Sequence, residues 1–231
     1  MDPESPSNIP HSRDSLDLIA REVRTCQLCP LSRTRTHAVP GEGNPKADLM
    51  LIGEGPGYNE DKQGRPFVGA AGSFLNELLK SAGLKREDVY ITNVVKCRPP
   101  QNRDPLPNEI QACNGYLQRQ MKLIDPAVVA TLGRHSMGVF IPGERIMRVH
   151  GQPREVNGRT VVPLLHPAAA LHQPALKAAE LEDFSRLPAI MKEATSVPTP
   201  EPEAAPPPAP ATEVEEPERP QGKLEQLRMF E

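Results

Sequence analysis

The chain has 231 residues, a length that suits one domain with tails rather than two full domains. Hydrophobic residues make up 37% and aromatics 3%, against 28 prolines, which excludes a chain packed from end to end. The formal charge of −3 is uneven: acidic residues concentrate in 1–12 and 198–231, leaving 13–197 at +4, so the charge permits a nucleic-acid partner without demanding one.

Residues 1–12 are polar and rich in Pro and Ser, and are expected to be disordered. Ser12 or Asp14 can cap a first helix running through Arg24, with Leu16, Ile19, Ala20 and Val23 on one face. A short turn carrying Cys26 and Cys29 follows. Residues 47–53 (ADLMLIG) form a continuous apolar run ended by a Gly/Pro cluster, the pattern of a buried strand. The spacing of Phe74, Leu75, Leu78 and Leu79 predicts a helix over 70–82, stopped by Gly83. Residues 89–95 are β-branched and strand-like, 108–124 helical, and 127–132 a third strand ended by Gly133. Residues 146–149 and 154–156 lead into Asn157-Gly158, a hairpin signal, and then a strand over 160–165. A last helix is expected over 174–194.

Strands alternating with helices imply a three-layer α/β/α fold with a central, mostly parallel sheet. Ligands sit at the carboxyl ends of such strands, and the loops rich in Gly, Pro or His at 53–57, 93–100 and 166–168 all follow strands. From Pro198 to Pro220, nine of 23 residues are proline and six are glutamate, so 198–222 is an extended linker that cannot build a core. Apolar character returns only in 223–231.

No segment reaches the roughly 18 apolar residues of a membrane span, and the N-terminus lacks a charged-then-apolar leader. A cytoplasmic chain with no membrane partner is expected. In that reducing compartment cysteines are metal ligands before they are disulfides. Cys26 and Cys29 form a two-residue-spaced knuckle, and Cys97 and Cys113 a wide second pair. Four thiolates can hold zinc or a [4Fe–4S] cluster, and the wide second pair leans away from a zinc ribbon.

The glycine-rich turn 53–57 is neither a dinucleotide fingerprint nor a phosphate loop. Together with GRPFVG at 64–69, TNVVKCRPP at 92–100, the spacing of the four cysteines and HPAAAL at 166–171, it resembles the family 4 uracil-DNA glycosylases, the iron–sulfur branch of the uracil-DNA glycosylase superfamily. The likeness spans about residues 20–194. It implies a monofunctional N-glycosylase domain over 13–197 that excises uracil from DNA by hydrolysing the N-glycosidic bond, opening base-excision repair. It also implies a structural [4Fe–4S] cluster on Cys26, Cys29, Cys97 and Cys113.

Carried over residue by residue, His166 donates to uracil O2 and Glu54 positions or polarises the attacking water. Asn93 reads the pyrimidine edge, Phe67 stacks on the flipped base, and Glu60 lines its C5 edge. Gly55 stands where the best-studied uracil glycosylases have an Asp, and Gly57 where other families carry a bulky Tyr. Leu171 is the wedge that fills the emptied stack, and His172 stands where relatives often carry Arg. Lys96, Arg98 and Arg103 are candidates for phosphate contact. A related glycosylase that cross-links to DNA carries a basic insertion after the first motif; here Lys62-Gln63-Gly64-Arg65 runs straight into Pro66-Phe67, so turnover is expected.

Gln226, Leu227, Met229 and Phe230 resemble the peptides that bind the bacterial sliding clamp, a polar anchor followed by apolar ones. A monomer acting at the nucleoid on uracil-containing DNA is expected. The alternative is a non-catalytic iron–sulfur or zinc DNA-binding accessory of the replication machinery, which leaves Asn93, Phe67 and His166 without a purpose.

Overall fold

The four apolar runs each supply a strand of one sheet. A computed structural model of the chain describes residues 14–196, so the expectations for 1–12, 198–222 and 223–231 lie outside the described residues. In chain order the strands are β1 (Glu42–Gly43), β2 (Leu49–Gly53), β3 (Tyr90–Asn93), β4 (Val128–Leu132), β5 (Arg154–Val156) and β6 (Arg159–Leu164). The helices are α1 (Leu16–Thr25), α2 (Tyr58–Gln63), α3 (Ala70–Ser81), α4 (Pro107–Ile124), α5 (Arg134–Phe140), α6 (Ile146–Val149), α7 (Pro167–His172) and α8 (Leu176–Ser196).

The sheet order is β1-β3-β2-β4-β6-β5. The inner four strands are parallel, and the edge strands β1 and β5 are antiparallel to their neighbours. Alternation along β2 sorts its side chains between two cores. Leu49 and Leu51 pack under α3 and α8 with Phe74, Leu78, Phe184 and Leu187. Met50 and Ile52 face α1 and α4 with Ile19, Val23, Cys113 and Leu117. This is the three-layer α/β/α arrangement, with both faces covered as a parallel sheet requires.

The chain leaves β2 toward β3 on one side and returns to β4 on the other, which opens a crevice at the carboxyl ends of β2 and β4. Backbone bonds extend past the ladder there: Val94 N donates to Gly53 O at 2.9 Å and Val95 N to Glu54 O at 3.1 Å. The tips of β2 and β3 are therefore one rigid unit.

Several boundaries differ from the sequence expectations for local reasons. Ser15, not Ser12 or Asp14, caps α1, its Oγ accepting from Leu18 N at 3.1 Å, while Asp14 is drawn to Arg119 at 2.7 Å. The last helix, expected over 174–194, is α8 (Leu176–Ser196), whereas the stretch after β6, expected as a loop, forms the short helix α7, which ends where Pro174 disfavours helical geometry at Gln173 (φ −132°). Residues 146–149 form a helical turn rather than an extended lead. The hairpin signal holds, with Asn157 at φ 50° and Gly158 at φ 74°.

Candidate active site

Asn93 ends β3 with 2% of its surface exposed. Lys96 Nζ holds its main-chain carbonyl at 2.8 Å, while its side-chain amide has no hydrogen-bond partner among the described residues. The amide is thus free to bond a ligand at the strand tip. A Cβ at Gly53 would overlap Asn93 Oδ1 and come within 2.7 Å of the Phe67 ring, so only glycine lets these side chains meet over the β2 tip.

Phe67 is 7% exposed and sits at φ 50°, a left-handed conformation that costs a non-glycine residue about 1–2 kcal/mol. Three features hold it there. Glu60 Oε1 accepts from Val68 N and Gly69 N, both at 2.9 Å. Gly72 of α3 lies so close that a Cβ would overlap the Phe67 carbonyl. The His166 ring stands 5.8 Å away, centroid to centroid, tilted by 30°. The surrounding structure thus over-determines this strained conformation.

His166 follows β6 and opens α7. Its Nδ1 accepts from Ala168 N at 3.1 Å, which places the neutral ring's proton on Nε2. Burial pushes its pKa down to about 4, opposed by the nearby Glu60 carboxylate. The ring is therefore a neutral donor at working pH. Glu60 has its other oxygen 2.8 Å from where a Gly57 Cβ would lie, so a side chain at 57 would displace it. A Cβ at Gly55 would come within 2.8 Å of Val95, leaving no room at the present spacing for the Asp of other families.

Glu54, just past β2, belongs to a group that the sequence did not reveal. His135 Nε2, from the first turn of α5, lies 3.9 Å from Glu54 Oε2 and 3.1 Å from Asp104 Oδ2. Burial raises the Glu54 pKa, countered by His135 and reinforced by Asp104. The signal was available: His135 stands three residues past the end of β4, as His166 stands two past the end of β6, but it lies inside a helix rather than in a Gly- or Pro-rich loop.

Leu171, on the last turn of α7, is 48% exposed, and His172 beside it is also exposed. The expected phosphate contacts are only partly available. Lys96 is 1% exposed and bonded inward, so it cannot reach a phosphate. Arg103 is engaged by buried Glu109 at 2.7 and 2.9 Å. Arg98 bonds Asn102 and lies 5.2 Å over the exposed Tyr58 ring, remaining near the surface.

The four cysteines line one pocket between α1, the β3 loop and α4. None is in a disulfide. Donors face three of the sulfurs: Arg35 Nη1 to Cys97 Sγ at 2.9 Å, Lys96 N to Cys113 Sγ at 3.3 Å, and Leu28 N to Cys26 Sγ at 3.5 Å. Burial pushes the Cys97 thiol up and the Cys113 thiol up to about 11, so a bound cation must drive their deprotonation. Among the described residues, Glu54, Asp104 and His135 are the only three metal-ligand side chains whose ligand atoms all lie within 4.8 Å of one another. Four thiols lining one pocket are a soft donor set that fits either an iron–sulfur cluster or a zinc ion.

Residues 40–186 match the uracil DNA glycosylase superfamily. The chain belongs to that superfamily. Within it the likeness is to the type-4 branch. It is 50% identical over 187 residues to the "Type-4 uracil-DNA glycosylase" of Sulfurisphaera tokodaii, covering 75% of this chain and 84% of the relative. It is 42% identical over 189 residues to the protein of the same name from Thermotoga maritima, covering 79% and 98%. A "Type-5 uracil-DNA glycosylase" of Thermus thermophilus is 32% identical over 157 residues, covering 54% and 71%.

Proposed function

We infer that this chain is a monofunctional DNA glycosylase that excises uracil by hydrolysing its N-glycosidic bond, the first step of base-excision repair. The observation that carries the reading is Asn93 at the β3 tip, whose side-chain amide makes no hydrogen bond among the described residues and lies beside Phe67, the ring that faces a neutral His166. Asn93 Oδ1 accepts from uracil N3–H and its Nδ2 donates to O4. Cytosine presents the opposite pattern, and an unpaired buried polar group costs about 1–3 kcal/mol at each mismatch.

As the C1′–N1 bond breaks, its electron pair moves onto uracil and spreads to O2. His166 Nε2–H donates to that oxygen, acting as a preorganised oxyanion donor. Phe67 stacks on the extruded base, and Glu60 holds the Phe67 loop while lining the C5 edge beside Gly57. Gly55 keeps the β2 tip close to β3. Water attacks the C1′ cation, oriented by Glu54, whose carboxylate takes up the released proton. Leu171 fills the vacated stack and His172 flanks it.

Cys26, Cys29, Cys97 and Cys113 hold a [4Fe–4S] cluster. When bound, it supplies a four-point staple joining the α1 loop, the β3 loop and α4. The protein acts as a cytoplasmic monomer at the nucleoid, where Gln226, Leu227, Met229 and Phe230 engage the sliding clamp. Deleting 223–231 tests that contact directly: clamp affinity is lost and cleavage of short oligonucleotides is unchanged.

The test of the function itself uses single- and double-stranded oligonucleotides containing one uracil, scored for alkali-labile abasic sites. Wild-type protein produces them. Binding without abasic sites would favour the non-catalytic accessory reading and defeat this one.

A further inference from the structure

Lys96 is among the largest fully buried side chains, and the chemistry described so far makes no use of it. All three protons of its ammonium are spent: Nζ donates to Thr92 Oγ1 at 2.6 Å, to Gln120 Oε1 at 2.6 Å and to Asn93 O at 2.8 Å. The acceptors are themselves oriented. Thr92 Oγ1 donates to Pro40 O at 2.8 Å, and Gln120 Nε2 donates to the same carbonyl at 2.8 Å, which turns the Gln120 oxygen toward Lys96. No carboxylate is among these partners.

A buried cation answered only by neutral dipoles is expensive, and an apolar side chain would fill the space at lower cost. What a methionine could not do is hold the Asn93 carbonyl. The other end of the same residue touches the cysteine site, since Lys96 N donates to Cys113 Sγ at 3.3 Å and Lys96 lines the four-cysteine pocket. Thiolates carrying a cluster would supply the negative charge that the hydrogen-bond partners lack. Lys96 thus joins the Asn93 main chain to the cysteine site, alongside the chain between Asn93 and Cys97.

We propose that Lys96 is a positioning residue for pyrimidine recognition: it pins the Asn93 main chain to Thr92 and Gln120 while anchored on the cysteine site, so that the metal-bound loop sets where the Asn93 amide points. The proposal rests on the assignment of Asn93 as the uracil reader. It gives the cluster a part in specificity beyond stapling the fold.

The test is Lys96→Met in the cluster-loaded protein, with free uracil as one ligand and abasic-site DNA as the other. A positioning role weakens inhibition by free uracil tenfold or more and leaves abasic-site affinity within about twofold, with visible cluster absorption retained. A merely structural role weakens both ligands together, which overturns the proposal, as does an unchanged response to free uracil. Should Lys96→Met fail to fold, Gln120→Met removes one acceptor and leaves the cation. It is expected to weaken free uracil severalfold with the same split, and no change there is equally fatal. Asn93→Asp separates the two layers of inference. If it leaves uracil affinity intact, the reader assignment falls and takes this proposal with it. If it abolishes uracil binding while Lys96→Met does nothing, only the role of Lys96 falls.

Discussion

The strand-tip pocket and the cysteine site lie at opposite ends of a five-residue stretch, Asn93 to Cys97, yet they are built on opposite terms. In the pocket, hydrogen-bonding capacity is left unused at Asn93, Phe67 is held in a strained backbone, and glycines at 53, 55 and 72 keep neighbours at closest approach. Around the cysteines, donors already face three of the four sulfurs, and Val23 and Leu117 pack alongside in the same core. A site for a transient ligand stores its capacity unsatisfied. A site for a permanent one is completed by it and becomes part of the core.

That contrast predicts different failures for the two regions. The largest effects belong to the pocket. Asn93→Asp and His166→Ala should each lower single-turnover uracil cleavage about 10²-fold or more, with melting temperature nearly unchanged. Unchanged rates for both would dissolve the pocket as the site of chemistry. The cysteine site should fail the other way: Cys113→Ser should lose the visible cluster absorption and lower the melting temperature by more than about 5 °C, because metal binding there is folding free energy. Wild-type stability in that variant would erase the distinction drawn between the regions.

Gly72→Ala sharpens the comparison from the packing side. Its Cβ overlaps the Phe67 carbonyl, so stability should drop by about 1–3 kcal/mol and uracil affinity should fall with it. Chemical denaturation and uracil inhibition measure the two parts separately.

The pH response tests the protonation states. Glu54 has a raised carboxyl pKa, so cleavage should fall on the acid side at a pH above the ordinary 4.5 of Glu, and Glu54→Gln should remove that limb. His166, neutral down to about 4, contributes no rise in rate as pH is lowered through 6.5. Its stability sign follows from the same shift. The unfolded histidine gains a proton near 6.5 and the folded one near 4, so folding stability declines as pH falls between those values. A rate that climbs on acidification would mean an imidazolium is the catalyst. The smallest effect is expected at the surface, where His172→Arg should tighten DNA binding a few-fold at low salt and steepen the salt dependence by about one counterion.

The sequence by itself determined the alternation of strands and helices, the placement of Gly53, Asn93 and His166 at strand ends, and the four cysteines, because a buried strand needs a continuous apolar run and its end needs a glycine or proline break. Tertiary structure alone decided the rest. It drew His135 and Asp104 to Glu54 from segments distant in the chain, and it turned Lys96 from a surface cation into a buried anchor. It engaged Arg103 with Glu109 and placed the His166 proton on Nε2 through the bond that Ala168 N donates to Nδ1. Such outcomes depend on where neighbouring elements pack, and a charged residue in a one-dimensional sequence carries no mark of which side of the sheet will bury it.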